Sequence, residues 1–327
     1  RSEQVREALE QLGYSSERAR TLAQKSGGNL GSLLRCLQNL SLLPDWATGT
    51  IASELAIATI LGSWTDASVA DRAIAENLAG NSYGEWIVEL REVALRPGTP
   101  LTQRDGNWRF SARYEGWYAL GPKLFDEHLG RLQHAAVAVL TESDPQFQLP
   151  GDQRYASSIH GKVLAHSHLL RNGLAESLAL LGSHPTALTS CTRGQAEVTA
   201  VLTVREILAD ADWERWASLN DLLPLLAEAA PSEFLDTVEK AFTNTPCHFD
   251  LVFAEEGDGV MGRTYMSGLL WALETLAWDP DYLTRVVICM GELAARDPGG
   301  RWSNRPANSL TPSSEERRVG KEGRSRW

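Results

Sequence analysis

The chain has 327 residues, of which 43% are hydrophobic and 22% charged, and its net charge is −11. This length accommodates more than one domain with a substantial core. Residues 314–327 hold five basic and three acidic side chains, so the rest of the chain carries −13. This strongly acidic composition argues against general binding to nucleic-acid phosphates.

No apolar run reaches the ~18 residues that span a bilayer. Four widely spaced cysteines without a CxxC pair indicate reduced thiols in the cytoplasm.

Residues 1–43 predict a small bundle of three helices. Apolar residues recur at helical spacing over Val5–Leu12, Ala19–Ala23 and Leu30–Leu37. Gly13 ends the first segment, and Gly27-Gly28 separates the second from the third.

Residues 44–142 predict a winged helix with one β-hairpin. Three helical stripes come first, at Ile51–Leu61, Ala70–Leu78 and Trp86–Val93. Asp105-Gly106 then gives a hairpin turn signal, and Trp108 and Phe110 alternate with polar residues after it. Three helices followed by a hairpin is the element order of a winged helix, and we expect Trp108 in its core. Phe125–Leu140 predicts one more helix behind it.

Residues 143–310 predict an α-helical domain of HEAT-like repeats, which makes the whole chain mainly α. Apolar positions recur after 48 residues, and a fainter copy lies 47 residues before the first set. The two clear sets are Leu222, Leu225, Ala229, Phe234, Leu235 and Val238, and Leu270, Leu273, Ala277, Tyr282, Leu283 and Val286; the faint copy is Leu178, Gly182 and Leu188. An irregular helical domain is the alternative. We expect Trp213, Trp216, Trp271 and Trp278 to pack in the core or between these repeats rather than to form a ligand cage.

One segment offers an enzymatic alternative, a degenerate phosphate-binding loop at Gly257–Thr264. Gly257 and Gly262 have the GxxxxG spacing, with Arg263 and Thr264 where the motif has Lys and Ser or Thr. The stretch "FDLVFAEE" before it fits a strand, and "VVICMGE" later resembles a metal-binding strand end. Arg does not replace the compact charge of Lys, however. An ordinary connecting loop is the competing interpretation.

No other segment assembles a catalytic or metal-binding pattern. His166 and His168, with His160 nearby, lack a Cys or carboxylate at metal-ligand spacing. No Gly-x-Ser-x-Gly elbow and no Cys–His signature is present. We therefore predict a chain that is not an enzyme, with no catalytic residue, metal or cofactor of its own.

Direct DNA binding by the winged helix is a further alternative. The third helix, which would enter a major groove, reads "YGEWIVELREVAL" and holds three Glu against one Arg. Phosphates would repel that helix. The hairpin contributes Arg104 and Arg109, with Arg113 just beyond it, and Asp105 and Glu115 partly offset these charges.

The order of a bundle containing "SGGNLGSLLR", an acidic winged helix and helical repeats resembles signal-transduction ATPases with numerous domains, the STAND class. The resemblance covers residues 1 to about 310. It implies that Gly27, Gly28 and Asn29 form a nucleotide-facing lid loop and that Arg35 faces the nucleotide. Asn29-Leu30 departs from the class, which often has Gly-x-Pro there. The resemblance further implies ATP or ADP with Mg²⁺ in the parent protein, bound by an N-terminal core.

The two ends of the sequence predict that the chain is a piece of a longer protein. Arg1 enters helical periodicity directly, and residues 314–327 resemble the translation of a sequencing adapter, with Gly323 where that product has Cys. We therefore expect 311–327 to be a disordered or artefactual tail. The leading functional hypothesis is a non-catalytic regulatory and sensor part of a bacterial STAND-type NTPase, in antiviral defence or signalling. Its expected partners are the NTPase core and an unidentified trigger, with no membrane.

Overall fold

The structure, a computed structural model, describes residues 2–38, 43–96, 98–255, 264–299 and 305–308. These residues are mainly α-helical with one small antiparallel sheet, as predicted. The chain divides into two compact units, Arg1–Ala136 with Ala165–Thr199, and Val137–Leu164 with Ala200–Trp327. The predicted domain limits at residues 43 and 142 stay predictions, because these units interleave along the chain. The predicted tail, 311–327, lies outside the described residues.

The first three helices form the predicted bundle. They are α1 (Ser2–Gln11), α2 (Ser16–Ser26) and α3 (Leu30–Gln38). The Ser15 hydroxyl caps α2 by accepting a hydrogen bond of 3.3 Å from the Arg18 N–H. Leu9, Leu22 and Leu33, one from each helix, meet in a shared apolar core.

The next elements confirm a winged helix with one hairpin. They are α4 (Asp45–Thr48), α5 (Ala52–Leu61), β1 (Ser63–Thr65), α6 (Val69–Ala79), α7 (Tyr83–Ala94), β2 (Leu101–Arg104) and β3 (Asn107–Phe110). The strands are antiparallel in the order β1–β3–β2. Asp105 and Gly106 both have positive φ, at 52° and 78°, as a tight two-residue hairpin requires. Sequence analysis missed β1, because three residues are too short to show alternation.

A group of tryptophans fills the core of the winged helix. Trp64 of β1 stacks on Trp108 of β3 with ring centres 5.6 Å apart and planes 4° from parallel. Trp86 of α7 lies 5.4 Å from Trp64 on another side. The Trp108 Nε1–H donates to Asp66 Oδ1 at 3.1 Å, which satisfies the buried indole. Trp108 is fully buried, as predicted.

Three more helices follow in the chain, α8 (Arg113–Leu120), α9 (Asp126–Leu140) and α10 (His168–Ser183). α10 packs against β1 and α5. A Cβ at Gly173 would come within 2.4 Å of Leu61 O, so only glycine permits this approach. The buried Asp71 carboxylate accepts hydrogen bonds from the Thr65 and Ser167 N–H groups, at 3.1 and 2.9 Å. Residues 165–199 therefore fold with the first unit.

The remaining helices include two stacked helix pairs. Their bounds are α11 (Gln195–Leu208), α12 (Trp213–Ser218), α13 (Leu223–Ala229), α14 (Pro231–Phe242), α15 (His248–Ala254), α16 (Ser267–Leu276) and α17 (Pro280–Arg296). α13 packs on α16, and α14 packs on α17. The repeat prediction is confirmed for these two pairs. The faint third copy falls in α10 and the turn after it, within the first unit.

The expected packing of the four tryptophans is confirmed for Trp216 and wrong for Trp271 and Trp278, and Trp213 is half-buried against Phe147. Trp216 is buried between Phe234 and Phe249. Trp271 and Trp278 are instead 51% and 68% exposed. Trp271 lies on α16 and Trp278 lies in the turn after it, and the described chain offers no further helix pair beyond α17 to cover them.

Replacing Trp108 by alanine should lower the free energy of unfolding by about 3–5 kcal/mol, because it empties the centre of the tryptophan core. Trp278→Ala is the matched control, and its exposed ring predicts a change within about 0.5 kcal/mol. Urea denaturation followed by circular dichroism measures both values. Equal losses for the two variants would contradict the core position of Trp108.

Candidate functional site at the junction of the bundle and the winged helix

The glycine pair after α2 lies against the backbone of the winged helix. Gly27 ends α2 in a left-handed conformation, with φ 55°, and its N–H donates to Gln24 O at 3.0 Å. Gly28 also has positive φ, at 72°. A Cβ on Gly27 would stand 1.7 Å from Ser111 O, just after β3. Gly27 is therefore required both for the turn and for the close approach of the bundle to the winged helix.

Asn29 adds a hydrogen-bonded connection at the same turn. Its side-chain amide donates to Thr99 O, before β2, at 3.0 Å. Its Oδ1 accepts from the Ser32 N–H at 3.0 Å and so caps the start of α3. The single side chain thus begins α3 and attaches it to the segment that enters the hairpin.

Arg35 forms a two-point ion pair with Glu115 of α8. The Nε–Oε1 distance is 2.5 Å and the Nη2–Oε2 distance is 2.9 Å. The two side chains are 23% and 15% exposed, so the pair is shielded from water. Hydrogen bonding to Glu115 raises the pKa of Arg35 above its usual value. The Arg35 guanidinium, which the sequence predicts to face a nucleotide, is thus bound to the Glu115 carboxylate of α8.

An open cavity of about 670 Å³ lies beside this ion pair. It is lined by α2, α3 and α8, with Arg18, Lys25, Arg35, Cys36, Tyr114 and Tyr118 among its residues. Lys25 Nζ lies 5.1 Å from the centre of the Tyr114 ring. Burial raises the pKa of the Cys36 thiol, which keeps it protonated at neutral pH. Glu115 neutralises Arg35, and Glu17 lines the same cavity. The other two cations, Arg18 and Lys25, with the flat Tyr114 ring, suit a ligand with a ring and a negative group.

The alternative phosphate loop cannot be placed in full. Gly257, Gly262 and Arg263 lie outside the described residues, and Thr264 precedes α16. The strand that this alternative requires before the loop is a helix instead, α15, with Phe249, Val252 and Phe253 buried. Val286–Glu292, which resembles a metal-binding strand end, lies within the helix α17. Both segments are helical, as the repeat prediction has them. Glu255 pairs with Arg154 at 2.5 Å.

The exposed side of α7 is acidic, as its sequence indicates. Glu85, Glu89 and Glu92 are all exposed. Arg91, the arginine of this helix, lies 3.9 Å from the Asp66 carboxylate. In the hairpin, Arg104 lies 3.6 Å from Asp105. This distribution opposes the approach of a DNA backbone.

Glu115 and Tyr114 are two of the site residues that sequence analysis missed. Both lie on α8, which was not predicted as a helix. Tyr114, Trp117 and Tyr118 do have the i, i+3, i+4 spacing that signals one helical face. That signal predicts α8, but the partner of Glu115 lies 80 residues away and follows only from the fold.

Comparisons of the chain with protein-family models, with curated proteins and with solved structures find no match. The site is therefore defined by its geometry alone. Over the described ranges, no group of three or more His, Cys, Asp and Glu side chains could hold a metal ion. Among the helices placed by the structure, none has the length and apolar content to cross a membrane.

Gly27→Ala should destabilise the contact between bundle and winged helix, because the added methyl group overlaps Ser111 O. Gly13→Ala is the matched control, since Gly13 also has positive φ, at 91°, but nothing lies within 4 Å of its Cβ position. Both variants incur the backbone strain of about 1 kcal/mol. Only Gly27→Ala should additionally speed amide hydrogen exchange throughout α2 and α3. Equal exchange in the two variants would contradict the packing role of Gly27.

Proposed function

We propose that this chain is the regulatory and sensor part of a bacterial STAND-type NTPase and is not itself catalytic. Its partner would be an N-terminal NTPase core that binds ATP or ADP with Mg²⁺. The observation that carries the proposal is the built junction between the bundle and the winged helix. Gly27, Asn29 and Arg35 each join the two, and an open cavity with cationic and aromatic residues lies beside the ion pair.

The winged helix would act as a clamp on the bundle rather than as a DNA reader. Glu115 fixes Arg35, which holds α3 and one wall of the cavity in position. Lys25 stays at the cavity with its ammonium group beside the Tyr114 ring. These residues would bind and orient the nucleotide held by the core. A conformational change that separates Arg35 from Glu115 would release the bundle and open the site.

The stacked helix pairs would supply the sensor. α13–α14 and α16–α17 form a repeat stack, and such stacks present extended surfaces for recognition. The bacterial cytoplasm is the proposed setting, with antiviral defence or signalling as the proposed role. The trigger recognised by the stack would shift the junction between its closed and open states.

Neither alternative function has an observation in its favour. The helix α15 replaces the strand that a phosphate loop follows. The acidic face of α7 opposes DNA, and salt-sensitive duplex binding that is lost on Arg109→Glu would reverse that interpretation.

Glu115→Gln in the parent NTPase should speed the release of bound ADP about tenfold, the factor that corresponds to ~1.4 kcal/mol. The amide keeps the shape of Glu115 but removes the charge that holds Arg35. Displacement of a fluorescent ADP analogue by excess ADP measures the rate. Glu92→Gln is the matched control, because Glu92 is exposed on α7. A parent gene without a GxxxxGK[ST] loop upstream of Arg1, or equal release by both variants, would overturn the proposal.

A further inference from the structure

The two helix pairs of the repeat stack are joined by a close backbone contact and a hydrogen bond. α16 approaches the segment before α13 so closely that a Cβ on Gly268 would stand 1.6 Å from Asn220 O. The Gly268 N–H donates to Asn220 Oδ1 at 2.8 Å. These two residues are 48 positions apart, which is the repeat spacing. The second helix pair therefore packs on the first pair with a fixed offset of one repeat.

Charge pairs border the apolar contact between the helix pairs. Arg285 of α17 binds Asp236 and Glu239 of α14, at 2.5 and 2.7 Å. Arg296 of α17 binds Asp250 of α15 at 3.1 Å. In both cases the later helix brings the arginine and the earlier helices bring the carboxylates. The later helix pair thus contacts the earlier pair through an apolar stripe, and arginines of the later pair flank that stripe.

The outer side of α16–α17 has the composition of an interface. We define the end face by its four large exposed apolar residues, Trp271, Trp278, Val287 and Ile288, which are 51%, 68%, 49% and 60% exposed. A cluster of this kind, with two tryptophans, is typical of a protein-binding surface.

The equivalent positions in the preceding helix pair show what covers this side inside the stack. Counting back 48 residues from Trp271 and Trp278 leads to Leu223 and Ala230. These residues are 1% and 3% exposed in the stack, where α16 packs on α13. The two tryptophans of the end face therefore occupy positions that the contact between the helix pairs covers, and the described chain provides no next helix pair there. The same count from Val287 and Ile288 leads to Glu239, which binds Arg285, and to the exposed Lys240.

The rim of the end face is acidic. α16 and α17 contain no lysine, and their two arginines bind α14 and α15. The carboxylates of these two helices and of the turn between them, which we call the acidic rim, are Glu274, Asp279, Asp281 and Glu292, and Glu292 lies 4.0 Å from Arg296. A second copy of this chain would bring the same four carboxylates, so symmetric self-pairing places like charges together.

We propose that the end face binds an amphipathic helix of a partner protein, with an apolar stripe flanked by arginine or lysine. Such a helix would lie along α16 and α17, with its basic residues against the acidic rim, in the helix-in-groove mode of recognition. This is the arrangement by which α17 itself docks on α14. This proposal names a class of partner for the sensor role proposed above. The binding itself does not depend on that role, and only its biological meaning rests on the proposed function.

The test uses the full chain and a synthetic probe. The probe is a fluorescein-labelled helical peptide of leucine and lysine, with the leucines on one face and about the length of α17. A leucine–glutamate peptide of the same pattern is its charge-reversed counterpart. Fluorescence anisotropy at low salt measures the affinity of each. Because the whole chain is acidic, the decisive comparison uses variants that leave its charge unchanged.

Trp271→Ser/Trp278→Ser should weaken binding of the leucine–lysine peptide about tenfold or more. Val69→Ser/Leu95→Ser, at residues 72% and 86% exposed in the first unit, should leave it within about twofold. The leucine–glutamate peptide should bind about tenfold more weakly than the leucine–lysine peptide.

Three results would overturn the proposal. One is equal weakening by both double variants, and another is equal affinity for the two peptides. The third is self-association of the unliganded chain in sedimentation velocity that Trp271→Ser/Trp278→Ser abolishes, since the occupant would then be a second copy. These readouts do not involve nucleotide, so this proposal and the proposed NTPase role can fail separately.

Discussion

The backbone contact between Gly27 and Ser111 is the constraint on which the first unit depends. At a Cβ-to-oxygen distance of 1.7 Å no other residue fits, so the end of α2 is fixed against the end of the hairpin. That contact in turn aligns Asn29 with Thr99 and Arg35 with Glu115. A shift of about 1 Å at the glycine would break both, because hydrogen bonds weaken steeply with distance and angle. The cavity beside the ion pair exists because these three contacts hold its walls.

The winged helix can serve as a clamp because its own core is rigid. Trp64, Trp86 and Trp108 fill it, and Asp66 accepts the indole N–H of Trp108. Burial raises the pKa of Tyr83, whose hydroxyl also donates to Asp66, so this phenol stays neutral over the physiological range. A buried polar network whose donors and acceptors are paired specifies one arrangement of the core. The acidic face of α7 gives the module its negative surface, and Glu85 of this face also accepts a hydrogen bond of 2.8 Å from the hydroxyl of Ser82, which caps α7.

Much of the fold follows from periodicity, whereas the site does not. The bundle helices, α5 to α7 and the Asp105-Gly106 hairpin carry local signals that predict them correctly. Strand β1 was missed because pairing with β3, rather than its own three residues, makes it a strand. The segment of α15 also fits a strand in the phosphate-loop alternative, because a short apolar run fits both structures, and the position of Phe249 against Trp216 decides for a helix. The exposure of Trp278 and the pairing of Arg35 with Glu115 depend on which segments meet, and one sequence holds no local signal for that.

The double-mutant cycle of Arg35→Ala and Glu115→Ala tests the central claim, that the junction fixed by Gly27 is clamped by this ion pair. Urea denaturation of the wild type, the two single variants and the double variant gives their coupling energy. The structure predicts about 1–3 kcal/mol, the range for contacting partly buried charges. A coupling energy near zero would show that the two side chains do not stabilise the junction, and the clamp would then have no physical basis.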